Sequence, residues 1–266
     1  MGSRGSEIKM SCIRKSVIGK AALVAGLVFA AATSASAAIN YGDFSDVPPG
    51  TVTYGDVTES SFTDPVPLYN APSITGDLLD FDPTAFGASA SGAAGFDITD
   101  GQLNFMMTAE AGESIDTLLI SESGDYMFTG ISPVAGTFVV ASLAATVTIL
   151  EVDGLTLGTP IDVFVPETFF NDYATVGDAP APGLRKWSLA AQVDLVSALT
   201  AGYTLGATKI EVVIDNQLTA TTTTDNTAFI SKKDFKVNTG PPIPEPTSLA
   251  LLGLGSLLMV RRRRDR

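Results

Sequence analysis

TFVVASLAATVTILEVDGL, residues 137–155, is the stretch that decides the fold class. Its alanines permit a helix over Val134 to Leu150, but β-branched Val, Thr and Ile fill the second half. Such side chains fit a pleated strand better than a helical turn. The run then breaks at Asp153-Gly154, ahead of Leu155. An Asp-Gly pair between apolar runs signals a two-residue hairpin, because both central positions need positive φ. The pattern predicts a long strand that folds back on its successor. Working outward, Trp187, Leu189, Ala191, Val193 and Leu195 alternate with polar or small residues. Leu103, Phe105, Met107 and Ala109 do the same, as do Ile210, Val212 and Ile214. This is the period of half-buried strands. Phe229, Ser231, Lys233, Phe235 and Val237 suggest a final strand, and Val196 to Ala201, closed by Gly202, a single helical turn. Ser89 to Gly95 and Thr168 to Pro182 read as loops. Short strands punctuated by Gly, Pro and Asp predict an all-β fold, an antiparallel β-sandwich of jelly-roll-like type.

Both ends read as addressing segments. Arg14, Lys15 and Lys20 precede the apolar run Ala21 to Ala32, and Ala35-Ser36-Ala37 supplies small residues for cleavage after Ala37 or Ala38. Residues 1–38 thus have the form of a secretory signal peptide, the substrate of the Sec translocon and signal peptidase. At the other end stands the proline-rich spacer Pro241 to Pro246, then the apolar run Thr247 to Val260, then Arg261, Arg262, Arg263 and Arg264. As a helix, 247–260 spans about 21 Å, short of a hydrocarbon core of roughly 30 Å. The arginines hold that end on the cytoplasmic side and shorten the mismatch by snorkelling. A plain tail anchor with a proline linker fits this layout. So does a more specific pattern: Pro244-Glu245-Pro246, a short Leu/Gly-rich helix and a terminal Arg cluster, in that order, resemble the PEP-CTERM sorting signal. The resemblance implies an exosortase-type membrane transpeptidase or protease as partner. It also implies a transient inner-membrane anchor, and a mature protein at the envelope or in the exopolysaccharide matrix of a Gram-negative-type bacterium. The body is loosely similar to the sandwich ectodomains that precede this signal. That likeness rests on strand texture, Asp80-Phe81-Asp82-Pro83 and Asp97-Ile98-Thr99-Asp100-Gly101.

The remaining segment, 39–240, is the expected extracellular domain. It holds six basic and 26 acidic residues, a net charge of −20. Such a surface repels phosphate backbones, so nucleic acid is not an expected partner. The single cysteine, Cys12, leaves with the signal peptide, so no disulfide staples the mature chain. Histidine is absent, which removes imidazole acid–base chemistry, Ser-His-Asp and Cys-His mechanisms, and His-ligated zinc. No catalytic motif stands in their place.

Two acidic groups remain as candidates. Asp77, Asp80 and Asp82 precede Pro83, and Asp97 and Asp100 flank a turn before Gly101. Hard oxygen ligands on turns suit Ca²⁺, so Asp80, Asp82, Asp97 and Asp100 are read as a structural Ca²⁺ set, against the alternative of solvated turn residues. Trp187, Tyr173, Phe169 and Phe170 border one long loop and are candidates for a sugar-stacking platform, although the alternation of Trp187 points it inward. The run Thr219 to Thr224 reads as an exposed edge or loop. Three functions are compatible: a non-enzymatic envelope or matrix protein, a carbohydrate-binding module for extracellular polysaccharide, and a carboxylate-dependent glycoside hydrolase.

Overall fold

The computed structural model describes residues 38–131, 133–178, 184–200, 202–223 and 225–240. The segment 1–37, with Ala35 and Ala37, the spacer bearing Pro244, Glu245 and Pro246, the run 247–260 and Arg261 to Arg264 lie outside the described residues. The chain runs β1 (Ile39–Ser45), β2 (Val52–Ser60), β3 (Ser73–Thr75), β4 (Leu78–Phe81), β5 (Gly87–Ser91), β6 (Phe96–Ala109) and β7 (Thr117–Gly130). Then follow β8 (Phe138–Val152), β9 (Leu155–Asp172), α1 (Tyr173–Val176), β10 (Arg185–Asp194), β11 (Ala207–Thr221) and β12 (Asn226–Thr239). Among the described residues no helix is long and apolar enough to cross a membrane.

The alternation read from the sequence becomes two antiparallel sheets facing one core. The first has the order β1-β2-β6-β11-β8-β9, and the second β10-β7-β12-β4-β3, with β5 beside the first half of β12. In β8 every second residue from Val139 to Ile149 is buried, and in β11 Ile210, Val212 and Ile214 face the same core. The second sheet answers with Leu118, Ile120, Tyr126 and Phe128 from β7 and Ile230, Phe235 and Val237 from β12. The β8–β9 hairpin closes at Val152 and Leu155, with Asp153 at φ 53° and Gly154 at φ 74°. Both central residues therefore have the positive φ that an Asp-Gly turn requires. β9 tolerates Pro160 and Pro166 because it is an edge strand, free of ladder bonds on one side.

Several sequence expectations are corrected. Ser89 to Ser91 is strand, not loop, because Ala88 and Ala90 pack inward against the core while Ser89 and Ser91 pair with β12. Thr168 to Asp172 continues β9, and Phe169 packs on the rings of Trp187 and Tyr126. The helical segment is Tyr173–Val176, capped by Asp172, whose carboxylate accepts from Ala174 N–H. Val196 to Leu199 forms tight i to i+3 turns rather than a regular helix. Thr219 to Thr221 lies in β11, the interior strand between β6 and β8, not on an edge.

The final strand is β12, but its inward phase changes. Ala228, Ile230 and Lys232 face the core, then a register shift between Lys232 and Asp234 brings Phe235 and Val237 inward. A bulge inserts one residue and thereby inverts the alternation beyond it. Lys233 is the exposed extra residue.

Candidate functional site

The aspartates singled out from the sequence fall at separate places. Asp77 opens the approach to β4. Its carboxylate accepts from Thr51 N–H (2.5 Å), Thr51 Oγ1 (2.6 Å), Val52 N–H (3.1 Å) and Thr239 Oγ1 (2.8 Å). Burial alone would raise the pKa of this carboxyl. The bonds from Thr51, Thr239 and Val52 outweigh burial and hold it below the usual carboxylate range. Asp97 and Asp100 both lie on β6, in the opposite sheet from Asp80, and a three-residue separation aims them at opposite faces. Asp97 accepts from Ser89 N–H at 2.7 Å. Asp100 accepts from Thr63 N–H (2.8 Å), Thr63 Oγ1 (2.6 Å) and Phe62 N–H (3.1 Å). The four candidate ligands are therefore not assembled as one set.

Asp80 and Asp82 instead meet Asp234 of β12, with one carboxylate oxygen from each within 4.8 Å of the others. Lys236 serves this group: its Nζ donates to Asp234 and lies 3.6 Å from Asp80. The bond to Asp234 is the main cause holding the ammonium above the ordinary lysine pKa. A protein cation is thus already paired with two of the three carboxylates.

Two charged groups lie deeper. Glu59 is fully buried, accepting from Leu68 N–H and from the hydroxyl of Tyr41, which fastens the 61–72 connection to β2. Glu122 of β7 and Lys232 of β12 meet inside the second sheet, Nζ to Oε2 at 2.5 Å, with side chains 1% and 0% exposed. The rings of Phe86, Phe235 and Tyr69 surround the ammonium with centroids 4.4, 5.0 and 5.2 Å away. Burial pushes the Glu122 carboxyl up and the Lys232 amine down, each against the pull of its partner. The opposed residue on β7 is Gly124, where a Cβ would stand 1.9 Å from Ser231 O. The missing side chain lets the Trp187 indole N–H reach that same carbonyl at 3.0 Å.

Of the aromatic candidates, Trp187 and Tyr173 are core residues, and Phe169 of β9 is partly buried against the rings of Trp187 and Tyr126. Phe170 alone of these faces outward, its ring tilted by 38° against that of Phe138 with centroids 5.5 Å apart, and Phe164 lies further along the same face of β9. Sequence reading missed Glu59, Glu122, Lys232 and Asp234. Glu122 carried a signal: it shares the inward phase of β7 with Leu118, Ile120, Tyr126 and Phe128. Lys232 carried none, because the bulge hides its phase.

Among the described residues most of the singled-out carboxylates are thus engaged by backbone N–H groups, hydroxyls or a lysine, on a β-sandwich followed by a C-terminal tail. That tail is recognisable. Residues 242–264 match the PEP-CTERM protein-sorting motif. This motif is the recognition signal of exosortase and marks an exported protein anchored at a membrane by its C-terminal tail. No curated protein matches the chain. Among solved structures, the chain is similar to TmCBM61 in complex with beta-1,4-galactotriose, at 9% identity over 74% of this chain and 87% of that one, with a TM-score of 0.21. It is also similar to the enzymatically active domain of bacteriophage CBA120 tailspike protein 4, at 12% identity over 69% and 19% of the two chains, TM-score 0.16. A third is the infectious bursal disease virus VP2 subviral particle, at 15% identity over 80% and 58%, TM-score 0.13. Likenesses at these scores carry no argument for function.

Proposed function

We propose that this chain is a non-enzymatic envelope or matrix protein, exported by residues 1–38 and processed by exosortase near Pro244-Glu245-Pro246. Its jelly-roll-type body is then left at the outer surface or in exopolysaccharide. The observation that supports sorting is the motif at 242–264, which begins three residues beyond the end of β12 at Thr239. The structural reading of the body is supported by how its carboxylates are used. Asp77, Asp100 and Asp153 accept loop hydrogen bonds, and Glu122 faces a lysine. The test is expression with and without exosortase, comparing the native tail with one in which Pro244, Glu245 and Pro246 are alanine. The native chain should lose the segment beyond the motif only where exosortase is present, and the alanine chain should keep it. Equal masses and equal fractionation of the two chains would refute the sorting role.

A carbohydrate-binding role is the second reading, favoured by the outward rings of Phe138, Phe164 and Phe170 on one face. Phe170→Ala should then weaken retention on polysaccharide without lowering the melting midpoint. Unchanged retention would remove this reading.

A further inference from the structure

The Glu122–Lys232 pair is the most unusual chemical feature of the core. Two ionisable side chains on adjacent strands meet end to end, enclosed by Phe86, Phe235 and Tyr69. Among the described residues the second carboxylate oxygen, Glu122 Oε1, has no hydrogen-bond partner. A buried ion pair normally survives only when its remaining lone pairs are satisfied, since each desolvated charge costs several kcal/mol. Here one lone-pair set is left empty. The arrangement is therefore poor as a salt bridge, yet it places an amine nitrogen against a carboxyl group in an apolar enclosure.

The geometry points to an intramolecular amide between Lys232 Nζ and Glu122 Cδ, formed by the folded protein itself and tying β7 to β12. Burial drives both groups toward their neutral forms, and a neutral amine with a neutral carboxylic acid is the reactive combination. The nitrogen lone pair attacks Cδ and the Nζ–Cδ bond forms. The bond from Cδ to the protonated oxygen, Oε2, breaks. That hydroxyl departs with one proton from the nitrogen, as water, and Oε1 remains as the amide carbonyl. Nothing is oxidised or reduced. Condensation in water is opposed because acid and amine ionise there; an enclosure that disfavours both ions removes this opposition. Holding the groups in contact supplies the proximity that a bimolecular reaction lacks. The product replaces two buried charges with one neutral amide. In an extracellular domain without cysteine it would take the place of a disulfide, joining the strand that precedes the tail to its neighbour.

The test is peptide mapping of the full chain, purified after folding, then denatured and digested with a protease specific for Glu. Denaturation separates an ion pair and leaves an amide intact. The expected product joins residues 114–151 to the peptide that starts at Val212 and runs on through the uncleaved Glu245-Pro246 bond, and is lighter than the two peptides by one water. Cleavage after Glu122 should be absent, because that carboxylate no longer exists. Chain recovered unfolded and digested without refolding should give the separate peptides. Lys232→Arg keeps the positive charge but not the nucleophile, and should restore cleavage after Glu122. Peptide 114–122 and the peptide starting at Val212, both at unshifted mass in the folded wild-type chain, would overturn the proposal. So would a linked product that persists in Lys232→Arg. The mapping reads the bond directly, so its result stands even if that variant folds poorly, and it does not depend on how the tail is sorted.

Discussion

Replacing Asp77 tests whether the sandwich ends are fastened by carboxylates. The half-buried Asp77 side chain accepts four hydrogen bonds, from the start of β2 and the end of β12. A bond to a charged acceptor contributes about 1.5–3 kcal/mol, and a neutral one about 1. The two hydroxyl donors can turn to water, so most of the loss falls on the N–H groups of Thr51 and Val52. Asp77→Ala should therefore cost about 3 kcal/mol, which for a domain of this size lowers the melting midpoint by about 6–12 °C. Asp77→Asn should cost only about 1 kcal/mol, because its oxygen still accepts both N–H groups and its NH2 can donate to the threonine hydroxyls. Segment 39–240 has one tryptophan, the buried Trp187, so urea unfolding followed by its fluorescence reads both variants. The acid dependence provides an independent check. Asp77 has its folded pKa below the unfolded value, so its contribution is complete above the unfolded pKa, near 3.9. It disappears as pH falls through the folded pKa. The gap between wild type and Asp77→Ala should narrow below about pH 4. A gap under about 0.5 kcal/mol at pH 7, or an asparagine variant as weak as the alanine, would refute this account.

Two further outcomes follow from the geometry. Gly124→Ala would drive a Cβ to 1.9 Å from the Ser231 carbonyl, a backbone atom held in the sheet, so the variant should lose at least about 3 kcal/mol and shift the Trp187 emission. An unshifted spectrum and an unchanged midpoint would deny the close approach of β7 and β12. Ca²⁺ should leave the wild-type midpoint where chelator leaves it, because the Lys236 ammonium is already paired with Asp234 and Asp80. Lys236→Met should instead gain stability from Ca²⁺, about 2.7 kcal/mol at 100 times its Kd, and a Ca²⁺ gain in the wild type would show that the lysine does not occupy the site.

The residues that alternate without interruption were legible in the sequence. β8, the Asp153-Gly154 hairpin, β10 and the centre of β11 follow from local pattern, because period-two burial and turn chemistry are both local properties. The trailing part of β9 and the whole of β5 were not. Thr168 to Asp172 reads as loop, and Ser89 to Ser91 has no bulky residue, yet each segment is strand because a neighbour offers a ladder. The site was least legible. Grouping Asp80 and Asp82 with Asp97 and Asp100 used nearness in sequence, whereas their partners are set by sheet membership. Asp234, the residue that does join Asp80 and Asp82, lies on β12, more than 150 positions away.

The placement of the carboxylates explains how so acidic a domain holds together without disulfides. The connection 61–72, which carries the chain from the first sheet to the second, is fastened by Glu59 at one end and Asp100 near the other. The connection from β10 to β11, which crosses back, is held where Asp153 accepts from Thr204 N–H (2.7 Å), Leu205 N–H (2.7 Å) and Gly206 N–H (3.1 Å). The turn before β2 is tied to the turn before β4 by Asp77, and by Asp46 accepting from Gly76 N–H at 2.8 Å. In each case a carboxylate satisfies backbone donors at a place where the ladder cannot. Substituting these positions by uncharged acceptors would lower the net charge while keeping most of the bonds, so the acidity of the domain and its stability are separable. The bonds to backbone N–H groups hold the sheet crossings in register. The remaining, unengaged acidic residues set the surface field that keeps copies of the domain apart.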